Sequence, residues 1–341
     1  MRPDELLAPR PAGLYCAAGD FYIDPVRPVD RAVITHGHAD HARAGHSHVL
    51  ATPETAAIMA ARYGADHAPS VQKAALGEVV QVNGVTVRFA PAGHVLGSAQ
   101  AVVEHRGCRI VVTGDYKRRP DPTCTAFEPV PCDVLVSEAT FALPVFRHPD
   151  DRGEVARLLA SVQALPERTH LVGAYALGKA QRLIALIRAA GYDRTIYLHG
   201  AMEKLCALYE AHGIALGSLA PATVRENGRA GGAKRAFAGE IVICPPSSFT
   251  DRWSQRFPDP VDCFASGWMR IRQRAKQRGV ELPLIISDHA DWDELTATIA
   301  DVAPGEVWIT HGRDDALARW CELAGIRARP LALVGYDDEN E

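Results

Sequence analysis

Short apolar runs alternate along the chain with longer stretches in which apolar residues recur every three or four positions, the pattern of strands alternating with amphipathic helices. Apolar runs at 31–35, 85–90, 108–113, 133–136, 282–286 and 306–310 predict strands. Thr52 before Pro53 supplies an N-cap and a first-turn proline, and Gly64 supplies a stop, which predicts a helix over 53–63. Ala180, Leu183, Ile184 and Ile187 share one face before Gly191 and predict a helix over 178–190. Leu317, Trp320 and Leu323 before Gly325 predict another over 314–323. The expectation is an α/β protein with helix-covered sheets. At 341 residues the chain has room for two domains of roughly 150 residues each.

Four of these strands run directly into residues that can bind metal. The run 31–35 enters His36, 108–113 enters Gly114-Asp115, 282–286 enters Ser287-Asp288-His289, and 306–310 enters His311. Carboxyl ends of strands in layered α/β folds share an edge where a site can form, and rigid strands hold ligands better than loops do. The richest segment is His36-Gly37-His38-Ala39-Asp40-His41, three histidines and an aspartate at a strand-to-helix turn. Neutral imidazole suits zinc, and a carboxylate adds an oxygen donor that also suits manganese. That is too many donors for one tetrahedral ion with an open position; two neighbouring ions would use them all.

Composition narrows the field. With 47% hydrophobic and 23% charged residues the chain resembles an ordinary globular protein, not a disordered or collagen-like one. No apolar run approaches the ~18 residues of a membrane span, and the first 13 residues carry acids and no apolar core of a signal peptide, so a cytoplasmic location is expected. The eight cysteines contain no CxxC pair and are expected to be reduced. The net charge of −4 advertises no polyanion, yet residues 225–278 hold eleven basic and five acidic residues. Phosphate binding would need such a local basic face.

Two further segments, Gly93-His94-Val95-Leu96-Gly97-Ser98 and Thr113-Gly114-Asp115, join HxHxDH in a set that resembles the metallo-β-lactamase superfamily. Ser137-Glu138-Ala139-Thr140-Phe141, the His289 of SDHADW and the His311 of ITHG narrow the resemblance to the β-CASP nucleases, with Asp24 of FYIDP as the first motif. The resemblance spans nearly the whole chain. It implies an αββα metallo-β-lactamase sandwich, in residues 1–145 and 283–341, interrupted by an α/β cap domain over 146–282. It also implies that His36, His38 and His94 hold one ion, that Asp40, His41 and His311 hold the second, and that Asp115 bridges them. Zinc is the expected metal and manganese the alternative. Two ions ~3.5–4 Å apart can share a hydroxide and stabilise both oxygens of an in-line phosphoryl displacement.

Asp24 would then orient a ligand histidine; the alternative is a turn carboxylate before Pro25, with Asp20 as substitute. His289 would give the leaving oxygen its proton and Glu138 would orient that imidazole, unless Glu138 only satisfies backbone amides. Asp40, Asp115, Glu138 and His289 are thus the expected catalytic residues. For substrate, Ser98 of the GHxxGS segment, Lys179 and Arg182 of YALGKAQR, Ser247 and Ser248 of PPSS, and Ser266 and Gly267 of SGW match segments that contact nucleic acid in the family. Lys179 and Arg182 would sit in the first turn of a helix, where free N–H groups favour phosphate, or be solvated surface charges. Alternate basic residues from Arg270 to Arg278 would line one face of an extended strand, either to attract a polyanion or to protect an edge.

The sequence looks most like the bacterial ligase-associated DNA exonucleases, which implies DNA as substrate, a role in DNA repair, and an ATP-dependent DNA ligase and a helicase as partners. His311 matches RNA-processing members such as the cleavage-and-polyadenylation endonuclease, so an RNA nuclease of that or the RNase J type is the alternative. A non-catalytic nucleic-acid-binding subunit is disfavoured because every ligand is kept. Glu138, His289 and the cap disfavour a small-molecule hydrolase such as a lactonase.

Overall fold

In a computed structural model that describes residues 1–223, 237–312 and 314–331, the chain divides into two compact units, Met1–Arg147 with His289–Glu341, and His148–Asp288. The first unit opens with β1 (Leu7–Arg10), β2 (Gly13–Cys16), β3 (Phe21–Ile23), β4 (Arg31–Val33), β5 (His48–Ala51) and β6 (Ser70–Lys73), which form a sheet in that order. Its first three strands are antiparallel, and β3 through β6 run parallel. Next come β7 (Val79–Val82), β8 (Val85–Pro91), β9 (Ala99–His105), β10 (Cys108–Val112) and β11 (Val134–Ala139).

The second unit carries β12 (His170–Gly173), β13 (Ile196–Leu198), β14 (Leu219–Pro221), β15 (Ile241–Cys244), β16 (Val261–Ala265) and β17 (Leu282–Leu284). They form a wholly parallel sheet in the order β14-β13-β15-β12-β16-β17. Its central strands β12 and β15 are buried at every position, as expected of a parallel sheet covered on both faces. The chain then returns to the first unit with β18 (Glu306–Gly312) and β19 (Arg327–Pro330), completing a second sheet in the order β19-β18-β11-β10-β9-β8-β7.

The alternation along β10 shows how the first unit is layered. Ile110 and Val112 join a core that includes Leu14, Phe21 and Ile23 of the first sheet and Val87, Phe89, Val136 and Trp308 of the second, so the two sheets pack face to face. Val111 points the other way, into a cluster with Leu295 and Ile299 of the helix Trp292–Val302 and Leu317 and Cys321 of the helix Asp315–Leu323. Met59 of the helix Pro53–Tyr63 covers the outer face of the first sheet at Ala32, Ile34 and Val49. This is an αββα sandwich. No helix among the described residues is long and apolar enough to cross a membrane.

Three expectations need correction. The run at 282–286 is expected to cross from cap to sandwich at 282/283, but β17 pairs with β16 in the inserted sheet, and the inserted unit runs from His148 to Asp288. The four ligand-bearing strand ends therefore do not share one sheet: β4 belongs to the first, β10 and β18 to the second and β17 to the third. The basic run at 270–278 is not extended. It folds as a 3-10 turn, Gly267–Arg270, and a helix, Arg272–Gln277, which spreads its charges; the Arg274 guanidinium stacks 4.0 Å over Trp268. Residues 225–236 of the basic region lie outside the described residues.

Candidate metal centre

The HxHxDH segment begins where β4 ends. Asp24, buried at the end of β3, accepts from Thr35 N–H (2.8 Å) and Thr35 Oγ1 (2.5 Å), tying the start of the loop to the neighbouring strand. Its Oδ2 also lies 2.8 Å from His41 Nδ1. The His38 carbonyl accepts from Ala42 N–H at 2.7 Å and His41 N–H at 3.2 Å, a tight turn that returns His41 towards the histidines preceding it. His94 sits in a loop that needs both flanking glycines: Gly93 (φ 74°) would place a Cβ 2.3 Å from Lys117 O, and Gly97 (φ 76°) 2.6 Å from Glu54 Cβ. His311, within β18, has a left-handed φ of 52° next to a register shift between Ser137 and Ala139, and its ring centroid lies 5.1 Å from that of His41.

These loops gather His36, His38, His94 and Asp115, whose ligand atoms all lie within 4.8 Å of one another. Asp115 divides its oxygens: Oδ2 lies 3.3 Å from His36 Nε2 and 3.7 Å from His94 Nε2, whereas Oδ1 lies 3.5 Å from His41 Nε2. Asp40 Oδ2 approaches His41 Nε2 at 3.7 Å from the exposed side of the loop. His36 Nε2 is buried and makes no hydrogen bond, and its nearest carboxylate is that of Asp115. Such a nitrogen and oxygen set fits a divalent transition metal.

Charge reinforces this reading. Burial, helped by the neighbouring histidines, holds His36 well below its usual range, leaving a neutral donor. Burial also pulls on His41, but Asp115, Asp40 and Asp24 outweigh it and lift the imidazole to about 10. Burial pushes Asp115 up to about 8 against the attraction of His41 and His289. A cation taken up here would displace protons, which couples metal affinity to pH.

Glu138 and His289 meet beside this cluster: His289 Nδ1 lies 2.9 Å from Glu138 Oε2, and the His94 and His289 ring centroids are 4.7 Å apart. Asp115, Glu138 and His289 also have ligand atoms within 4.8 Å of one another. Glu138 Oε1 accepts from Tyr116 N–H (2.7 Å) and Oε2 from Thr140 Oγ1 (2.6 Å). The carboxylate thus both satisfies a backbone amide and orients an imidazole; the two expected roles coexist.

The expected substrate residues fare unevenly. Ser98 Oγ accepts from His94 N–H (3.0 Å) and Val95 N–H (3.1 Å), so it shapes the His94 loop. Within the second unit Lys179 is buried with Nζ 3.3 Å from Asp288 Oδ2, and Arg182 is fully buried against Asp151. Neither is a solvated surface charge, and a guanidinium already enclosed with a carboxylate is not presented to phosphate. Ser247 and Ser248 follow β15, and Ser266 and Gly267 follow β16. These strands flank β12 in a parallel sheet, so the segments share its carboxyl edge with the 174–178 loop. Ser247 is exposed; Ser266 Oγ caps Trp268 N–H. Thr35, Thr140 and Arg62, which donates to Gly37 O at 2.7 Å, were not singled out in the sequence. Adjacency of both threonines to motif residues was the available signal.

Residues 20–171 match the metallo-β-lactamase superfamily. The chain is 28% identical over 342 residues to a protein of Opitutus terrae named "Probable DNA ligase", covering 96% of this chain and 31% of that protein. It is 35% identical over 146 residues to cleavage and polyadenylation specificity factor subunit 3 of Dictyostelium discoideum (40% of this chain, 19% of that one). It is 31% identical over 133 residues to the endoribonuclease ysh1 of Aspergillus fumigatus (38% and 14%). The chain thus spans a third or less of the length of these curated relatives. The crystal structure of a protein of unknown function from Enterococcus faecalis V583 superposes with a TM-score of 0.55 at 15% identity, over 83% of this chain and 76% of that one, a likeness of fold. The αββα layers and the clustered HxHxDH, His94 and Asp115 donors agree with the metallo-β-lactamase match over residues 20–171.

Proposed function

We propose that the protein is a β-CASP-type, metal-dependent phosphodiesterase acting on nucleic acid, a DNA exonuclease of repair, with His36, His38 and His94 holding one divalent ion, Asp40, His41 and His311 a second, and Asp115 shared between them. The observation that carries this reading is the division of the Asp115 carboxylate, one oxygen toward His36 and His94 and the other toward His41. Bound zinc or manganese supplies Lewis acidity to phosphoryl oxygens and lowers the pKa of water.

The chain's own residues supply the rest. Asp24 holds His41 by Nδ1, which leaves Nε2 toward Asp115 and Asp40. Glu138 holds His289 by Nδ1, which leaves Nε2 to give a proton to the leaving oxygen, and Thr140 and Tyr116 N–H fix Glu138 in turn. The unit His148–Asp288 is the cap, and its substrate edge is the carboxyl end of β12, β15 and β16 with Ser247, Ser248, Ser266 and Gly267. We assign Lys179 and Arg182 to building that unit.

The relative named as a DNA ligase aligns along nearly this whole chain, which favours DNA and a ligase as working partner. The RNA-directed alternative draws on the relatives named for polyadenylation and on His311. End-labelled single- and double-stranded DNA and matched RNA, incubated with the protein and zinc or manganese, separate the two. Stepwise shortening of DNA is the expected result, and internal cuts in RNA alone would favour the alternative.

A further inference from the structure

A cavity of about 420 Å³ opens in the first unit, with Arg27, Pro28, Ala39, Arg43, Ala44 and Tyr63 among its walls. That volume lies within the range of small-molecule sites. Among the described residues no carboxylate lines it. Among the described residues neither Arg27 nor Arg43 forms an ion pair or a side-chain hydrogen bond, and Arg43 Nε is buried without a partner. Buried donors are nearly always paired, so the orphaned Nε of Arg43, with an exposed Arg27 lining the same cavity and neither held by an acid, marks a place for an anion.

Other walls say which anion. Tyr63, the last residue of its helix, is 39% exposed and lines the cavity. Its neighbour Arg62 is engaged by Gly37 O, which ties this helix end to the metal-binding loop. Ala39 stands between His38 and Asp40, so whatever occupies the cavity adjoins that loop. Planar guanidinium forks match phosphate oxygens, and an exposed aromatic ring accepts a base of any identity.

We infer that this cavity binds one nucleotide of a single strand flanking the scissile bond, its phosphate on Arg27 and Arg43 and its base on Tyr63. This rests on the nucleic-acid reading above and adds a grip within the sandwich unit itself.

Fluorescence anisotropy of a labelled, cleavage-resistant phosphorothioate 20-mer on metal-loaded enzyme, over a series of salt concentrations, tests it. Each phosphate contact on a single strand contributes about 0.7 to the slope of log affinity against log salt. Because both guanidiniums hold one phosphate, Arg27→Gln with Arg43→Gln should flatten that slope by about 0.7, and Arg27→Gln alone, on an exposed residue, by a smaller amount. Tyr63→Ala should weaken binding about fivefold or more with the slope unchanged, the signature of lost stacking. Wild-type affinity and slope in all three variants, with the wild-type enzyme binding this strand and cutting its unmodified counterpart, would overturn the cavity and leave the nuclease reading intact. A wild-type enzyme that neither binds nor cuts any strand would overturn the nuclease reading and the cavity with it.

Discussion

The loop at 35–41 and the helix start at 178–182 are both dense in charged or ligating side chains just beyond a parallel strand, yet they are satisfied in opposite ways. In the first, histidines turn toward one another and toward a single shared carboxylate, and His36 Nε2 has no hydrogen bond. In the second, Lys179 and Arg182 each meet an internal acid, Asp288 and Asp151. The first cluster turns a set of nitrogen donors on one shared carboxylate, a fit for an outside ion, whereas in the second each cation already has a carboxylate partner. Under the proposed function, the same residue density means a site in one place and architecture in the other.

The largest expected effect tests the first half of that contrast. Asp115→Ala removes the carboxylate that both histidine sets share, and elemental analysis should show metal lost together with activity. Retention of metal and activity would dissolve the contrast. Next, His289→Ala should keep its metal and slow cleavage of nucleic acid by roughly 10²–10⁴-fold, the usual contribution of a positioned acid. A nitrophenyl phosphodiester, whose leaving group needs no proton, should restore most of that rate. An equal deficit on both substrates, or lost metal, would remove His289 from the acid role.

The second half is tested by Arg182→Ala. Leaving the Asp151 charge buried without its partner should cost about 3–5 kcal/mol in urea unfolding. A variant of native stability with a flattened salt slope would instead restore Arg182 as a phosphate grip. Asp24→Ala should be milder, lowering metal affinity about 10–100-fold, as loss of a carboxylate behind a ligand histidine does; calorimetric titration with zinc measures it.

The smallest effect concerns acid stability. Burial works to raise the Glu294 pKa, but Lys117, Arg119 and two backbone amides prevail and hold it below its ordinary 4.5. A depressed carboxyl contributes stability that is complete above about 4.5 and is lost as pH falls through the folded pKa. Glu294→Gln should therefore be less stable than wild type at neutral pH and should close that gap as pH falls below 4.5, readable in thermal melts at pH 3 to 6. A gap that stays constant with pH would show that the carboxylate is not held in its charged form by folding.

Much of this was legible beforehand because the signals were local. Thr52-Pro53 and Gly64 bounded a helix found at Pro53–Tyr63, and alternation in 108–113 marked a strand found at Cys108–Val112. What escaped was set by partners distant in sequence. The apolar run at 282–286 carries no sign of which sheet it joins; pairing with β16 decides that. Alternating arginines at 270–278 suit a strand by spacing, but Arg and Gln also favour helix, and that preference won. Nothing beside Arg182 announces that Asp151, 31 positions earlier, will enclose it. The donor cluster needed less foresight at its centre, since HxHxDH places His36 and His38 within one turn, but the approach of His94 and Asp115 to them required the fold.

The most direct test is to strip the protein with a chelator, return zinc or manganese in steps, and follow bound metal and cleavage of end-labelled DNA in the same samples. The expected result is activity that is absent from stripped protein and rises with occupancy to a plateau at up to two ions per chain. Full cleavage by thoroughly stripped protein would contradict the account.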